Sequence, residues 1–198
     1  MDMNFYLDGI KKILDQLDRN SILSLVNHLQ NAYQSGKMVF VIGNGGSAAN
    51  ASHLAQDLTK GVNRQSDRRL KALSLTDNLP YISALANDDG YENIFASQLN
   101  AFGGEGDYLI AISGSGNSPN IIKAVEMARA KKMLVIGVTG FDGGKLTGLS
   151  DCKVHVPLNE MCTVESIHSV IFHWVILELN ERLSGIPFDE RSLICNTQ

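Results

Sequence analysis

The residues with chemical capacity gather in one stretch, Gly43-Asn44-Gly45-Gly46-Ser47-Ala48-Ala49-Asn50-Ala51-Ser52-His53-Leu54-Ala55-Gln56-Asp57. It opens as a glycine loop whose bare backbone N–H groups could hold a phosphate, and it runs on into a polar helical pattern. His53 and Asp57 are four residues apart, so on a helix they share a face. An imidazole and a carboxylate so placed can move a proton, and spacing alone equally fits a solvated pair that adds little stability. A second loop, Ser113-Gly114-Ser115-Gly116-Asn117-Ser118, offers hydroxyls and unhindered amides just before a helical pattern opens at Pro119. Orphan N–H groups and the positive end of the helix dipole converge there, which makes an anion site. The first loop formally fits the G-x-G-x-x-A dinucleotide fingerprint, with Asp77 as the acidic partner, and by itself it leaves dinucleotide and monophosphate binding open. The second loop tips the balance. A pyrophosphate needs only one such loop, and a loop without Lys or Arg suits a monoester phosphate held by neutral donors.

The elements that must position these loops follow a repeating rhythm. Strand-like runs occur at KMVFVIG, LKALSLT, DYLIAIS, KMLVIGVTG and CKVHVP. Between them lie helix-like segments at Ala48–Thr59, around Tyr81–Phe102 with a break at NDDG, Pro119–Ala130, and a short GGKLTGLS. Alternation of this kind predicts an α/β fold with a parallel sheet. Two glycine-serine loops at the ends of separate strands then become two arms of one cleft, because such sheets bind ligands at the carboxyl ends of their strands. Ahead of the first strand, two amphipathic helices are expected, with Phe5, Ile10, Ile13, Leu14 and Leu17 on one face and Ile22, Leu25, Val26, Leu29 and Tyr33 on the next.

The last element, TVESIHSVIFHWVILELNERL, is apolar around most of its circumference, with Thr163 as the expected N-cap. Val164, Ile167, Val170, Ile171, Trp174, Val175, Leu177 and Leu179 cannot all face one small sheet, so this helix is expected in a subunit interface with the N-terminal helices as partners. At 198 residues with 44% hydrophobic and 19% charged content, the chain reads as one globular domain. We divide it into a helical segment 1–36, an α/β core with terminal helix 37–184, and a tail 185–198. A net charge of -4 gives no footprint for nucleic acid, and no apolar run approaches the length of a membrane span. Cys152, Cys162 and Cys195 lack CxxC spacing and read as packed, reduced thiols of a cytoplasmic protein.

GNGGSAANASH, ISGSGNSPNIIKAVEMA and TGFDGGKL resemble the sugar isomerase (SIS) domain, and with NDDGY they resemble its phosphoheptose isomerase branch, from about Phe5 to Leu183. The resemblance implies a three-layer, flavodoxin-like fold with a five-stranded parallel sheet, a homotetramer with active sites at subunit interfaces, and isomerisation of sedoheptulose 7-phosphate to D-glycero-D-manno-heptose 7-phosphate. It implies a phosphate held by Ser47, Ser113, Ser115 and Ser118 with the glycines Gly45, Gly46 and Gly114, and a sugar site lined by Asn44 and Asp88. It also implies zinc held by His53, Asp57, Glu165 and His173, with no nucleotide cofactor, and an acid/base role for Asp57 or Glu165 with His173. The family has Glu where this chain has Asp57, Gln where it has Glu165, and in many members Arg where it has Gly61. Glu165 and His173 are about 12 Å apart along an ideal helix, so both cannot reach one metal from one chain. Either the helix begins after Glu165 or neighbouring subunits complete the set. His168 reads as a hydrogen-bonded core histidine, and His28 and His155 as surface or edge residues. The alternative to an isomerase is a non-catalytic SIS module that binds a phosphosugar or a replication initiator, and a nicotinamide-dependent oxidoreductase is a third reading.

Overall fold

The computed structural model describes residues 2–189 and Ser192. Cys195 and most of the expected tail 185–198 lie outside the described residues. Two helices come first. Helix α1 (Met3–Gln16) is capped by Asp2, whose Oδ1 accepts the Asn4 N–H at 3.2 Å, and it buries none of its residues. Helix α2 (Arg19–Ser35) is capped by Asp18 and ends on Gly36 in the left-handed conformation. Its buried residues Ile22, Leu25, Val26, Leu29 and Ala32 form a single stripe at helical spacing.

Five strands follow, β1 (Met38–Ile42), β2 (Lys71–Ser74), β3 (Tyr108–Ser113), β4 (Leu134–Thr139) and β5 (Cys152–His155), all parallel in the order β2-β1-β3-β4-β5. The period of two along each strand divides the core. Val39, Val41, Ile110 and Ile112 point to one side, Phe40, Ile42, Leu109 and Ala111 to the other. The first side is covered by α2, α3 (Gly46–Gln56) and α8 (Met161–Ser184). The second is covered by α5 (Ala96–Phe102), α6 (Pro119–Ala130) and α7 (Gly144–Leu149). Helix α4 (Leu79–Asp88) and a 3₁₀ turn at Tyr91–Asn93 complete the link from β2 to α5. The expected three-layer α/β architecture is the one observed.

Three expectations at α8 change. Its N-cap is Glu160, whose carboxylate accepts the Cys162 and Thr163 N–H groups at 3.0 and 2.8 Å, while Thr163 is buried in the first turn. The carboxylate, one methylene longer than Asp, reaches both amides at once and so outcompetes the Thr hydroxyl. Second, the helix is 24 residues long and apolar enough to cross a membrane by length and composition, contrary to expectation. Val164, Ile167, Ile171, Phe172, Val175 and Leu179 are nonetheless packed inside the protein. Third, Cys162 is exposed rather than packed, whereas Cys152 is buried and burial pushes its thiol pKa up. The other face of α8 is open: Val170 is 50% and Trp174 42% exposed, beside Leu14, Leu17 and Leu23 of the N-terminal helices.

Candidate active site

Strand β1 lies between β2 and β3, so the chain reverses its direction of travel across the sheet between β1 and β3. The loops leaving those two strands therefore diverge and open a crevice at their carboxyl ends. Asn44, Gly45, Gly46 and Ser47 line that crevice from the first loop, and Ser113, Gly114, Ser115 and Ser118 from the second. Met161 and Glu165 of α8 close it, and the cavity measures about 210 Å³. All the sequence-derived phosphate residues meet here. Helices α3 and α6 start in these loops, at Gly45 and Ser118, with no side-chain cap on either N-terminus. The positive ends of both helix dipoles thus face the cavity with no side-chain acceptor from the cap residue.

The cradle is rigid because the third motif props it. Gly140 N–H donates to Gly114 O at 2.8 Å, Leu146 N–H to Gly116 O at 3.0 Å, and Lys145 N–H to Asn117 Oδ1 at 3.1 Å. Gly116 has φ +65°, and a Cβ there would collide with the Gly143 carbonyl. TGFDGGKL is therefore a brace for the serine loop. At Gly46 a Cβ would collide with the Glu165 carboxylate, which lies against the start of α3.

A second cluster sits further along α3 and α8. Asp57 Oδ2 lies 3.3 Å from His53 Nε2 and 4.0 Å from His173 Nε2, and the two imidazoles meet edge to face with centroids 5.0 Å apart. A π-helical turn, Asp57–Gly61, follows at once and ends the regular run of α3 at the carboxylate. Among the described residues, these three are the group whose ligand atoms lie within 4.8 Å of one another. Glu165 does not join them. Helix α8 begins at Met161 and is continuous through His173, which removes the possibility that the helix starts after Glu165. Its carboxylate belongs to the phosphate crevice instead.

Two residues that sequence reasoning missed tie the clusters together. Asn50 Nδ2 donates to the Glu165 carbonyl at 3.0 Å, and Ser169 Oγ donates to Asn50 Oδ1 at 2.7 Å. Helical spacing offered the signal: 50, 53 and 57 share one face of α3, and 165, 169 and 173 one face of α8. Asp88 is exposed at the end of α4, where its Oδ1 accepts from Asn87 Nδ2 at 2.7 Å, and it does not line the crevice; Tyr91 reaches Asn44 instead. Asp77, the candidate ribose partner, accepts from the Ser52 and Thr76 hydroxyls. His168 is fully buried with Nε2 3.1 Å from the Thr139 carbonyl, and burial lowers its pKa to about 4, which keeps it a neutral core residue.

Residues 5–140 match the SIS domain. A phosphoheptose isomerase of Fusobacterium nucleatum subsp. nucleatum is 41% identical over 173 residues, 87% of this chain and 88% of that protein. Another, of Yersinia enterocolitica, is 39% identical over 183 residues, 91% of this chain and 93% of that protein. The solved structure of a phosphoheptose isomerase from Francisella tularensis superposes with a TM-score of 0.84 at 30% identity, covering 90% of this chain and 96% of that one.

Proposed function

Because this chain belongs to the SIS domain family and to its phosphoheptose isomerase branch, we infer that it is an aldose–ketose isomerase. Its substrate is sedoheptulose 7-phosphate and its product D-glycero-D-manno-heptose 7-phosphate. One observation carries the reading: α3 and α8 each contribute to a serine-lined cradle without Lys or Arg at one end and to a His/Asp cluster further along. Glu165 and His173 are separated by about 12 Å of helix, a span that a long sugar phosphate can bridge and a triose phosphate cannot.

Isomerisation needs one proton moved from carbon 1 of the ketose to carbon 2, and one exchanged between the two oxygens. Asp57 is the base for the carbon proton, since it stands between two imidazoles while Glu165 stands with the phosphate loops. Its carboxylate accepts the proton from carbon 1 and returns it to carbon 2. His173 donates a proton to the carbonyl oxygen and receives the one leaving the neighbouring hydroxyl. The phosphate stays on Ser47, Ser113, Ser115 and Ser118 throughout and fixes the far end of the chain.

Two imidazole nitrogens and one carboxylate oxygen within 4.8 Å fit a zinc ion that keeps an open position. His53, Asp57 and His173 would hold it through one atom each, which would leave the second carboxylate oxygen of Asp57 and the second ring nitrogen of His173 for the proton steps. When bound, the metal supplies a Lewis acid that polarises the substrate carbonyl. We assign Asp88 and Glu165 secondary roles, Asp88 beside the sugar through assembly and Glu165 at the rim of the cradle.

The open face of α8 and helix α1, none of whose residues is fully buried, support a homotetramer with sites near subunit boundaries, and we read the chain as a single cytoplasmic SIS domain. The test is to incubate the purified protein with sedoheptulose 7-phosphate, with and without zinc, and follow new anomeric proton signals by NMR. Appearance of the aldose supports the assignment. Its absence under both conditions overturns it, and ligand binding without turnover would favour the non-catalytic SIS module.

A further inference from the structure

Asn44 stands where the phosphate crevice meets a second open groove of about 600 Å³, which is lined by Tyr91, Glu92, Ser118, Asn120 and Lys123. Its amide is held on two sides. Asn44 Nδ2 donates to Asn120 Oδ1 at 2.9 Å, and Asn120 Nδ2 donates back to Asn44 Oδ1 at 2.8 Å, a closed amide pair between residues 76 apart in sequence. Asn120 is 1% exposed, and its Oδ1 also accepts the Ile121 backbone N–H at 3.0 Å. A backbone N–H cannot reverse its polarity, so it fixes which end of Asn120 is oxygen, and the pair then fixes which end of Asn44 is nitrogen. Tyr91 Oη–H completes the set by donating to Asn44 Oδ1 at 3.0 Å.

The donor and acceptor count has a chemical outcome. Asn44 Oδ1 accepts twice and is filled, while Nδ2 retains one hydrogen. Tyr91 has committed its phenolic proton and can offer a ligand only oxygen lone pairs. One free donor and one free acceptor side by side complement a group that is both acceptor and donor, namely a hydroxyl. A phosphate oxygen or a carbonyl would leave Tyr91 without a proton to accept.

We propose that Asn120 and Tyr91 are positioning residues that lock the Asn44 amide, so that Asn44 and Tyr91 together read a hydroxyl of the sugar chain. This rests on the sugar-phosphate reading above. The measurement is the Kd of sedoheptulose 7-phosphate against that of inorganic phosphate, which occupies only the serine cradle, for N120L, Y91F and N44A singly and combined. Each of N120L and Y91F is expected to weaken sugar-phosphate binding about three- to tenfold, with phosphate binding within about twofold of the parent. In the N44A background N120L should add no further loss, because it acts only through Asn44, whereas Y91F should keep part of its loss, because Tyr91 also accepts from the hydroxyl directly. Tyr91 is 55% exposed, so Y91F carries the test if N120L fails to fold. Fully additive losses in the N44A background, or phosphate binding that falls in step, overturn the proposal. A parent that turns over sedoheptulose 7-phosphate yet shows full additivity refutes the lock alone. A parent that binds the sugar phosphate no better than phosphate refutes the lock and the functional reading together.

Discussion

The two ends of the α3/α8 pair are built in opposite ways. At the phosphate end the parts are complete within one chain: Ser47 and Ser113 are buried at 4% and 5% exposure, the second loop is braced by backbone hydrogen bonds, and two helices present uncapped N-termini. Helices α1, α2, α4 and α8 carry an Asp, Asn or Glu side-chain cap, whereas α5 and α7, like α3 and α6, carry none. At the proton-transfer end the side chains stand open, His53 at 51% and His173 at 56%, around a void of about 10 Å³. Anion binding by neutral donors needs a preformed, rigid cradle. Proton transfer needs exclusion of water, which a single chain does not supply here. On the proposed reading, the contrast assigns phosphate recognition to the protomer and catalysis to the assembly.

The largest effect should separate the two ends outright. Asp57→Asn is expected to lower kcat on the order of a thousandfold while the Kd for inorganic phosphate, measured by calorimetry, stays unchanged. Loss of phosphate binding in that variant would break the comparison. Next, Trp174→Glu places a charge on the open apolar face of α8. Sedimentation should show a smaller species with kcat down about a hundredfold, and phosphate binding should survive; full activity in the smaller species would place the whole site in one chain. Gly116→Ala addresses the other end, since its Cβ meets the Gly143 carbonyl at a positive φ. Phosphate affinity should fall at least tenfold, together with a lower Tm.

Glu165→Gln sharpens the assignment of the carboxylates. Removing a negative charge at the rim of a cradle that contains no Lys or Arg should tighten phosphate binding severalfold. A drop in kcat as large as that of Asp57→Asn would instead make Glu165 the base. The last effect concerns stability and leaves both ends of the site untouched. His168 has a folded pKa of about 4 against an ordinary 6.5, lowered by burial and by the nearby charge of His155, with the hydrogen bond to the Thr139 carbonyl opposing the shift. Above that ordinary value both states are neutral and nothing changes. As pH falls from about 6.5 towards 4, the unfolded chain takes up a proton that the folded chain refuses, so stability declines by up to about 1.4 kcal/mol per pH unit and then levels. Denaturant titrations across that window should show the slope in the parent and a weaker one in His168→Gln.

Much of the fold could be read from spacing. The helix predicted at Pro119–Ala130 is observed with those ends, and Pro at its first position marks the start locally. The predicted strands fall on the observed ones, and the paired loops fall at their carboxyl ends. Local rules reached less far where partners compete. Thr163 and Glu160 both suit a cap, and the winner was decided by reach. The Asn44–Asn120 pair joins the loop after β1 to the first turn of α6, and β1 and β3 become neighbours only in the folded sheet, so no local pattern announces it.

By itself, then, the chain's order of residue types determined most of its elements, the α/β class, the two glycine-serine loops and the shared face of His53 and Asp57, because each depends on neighbours within a turn or a strand. The tertiary structure decided that His173 joins that pair while Glu165 goes to the cradle, that TGFDGGKL braces the serine loop, and that Tyr91 reaches Asn44. Those outcomes depend on which strands pair and how α8 crosses α3, and distance in space between remote segments is set only when the sheet closes its order.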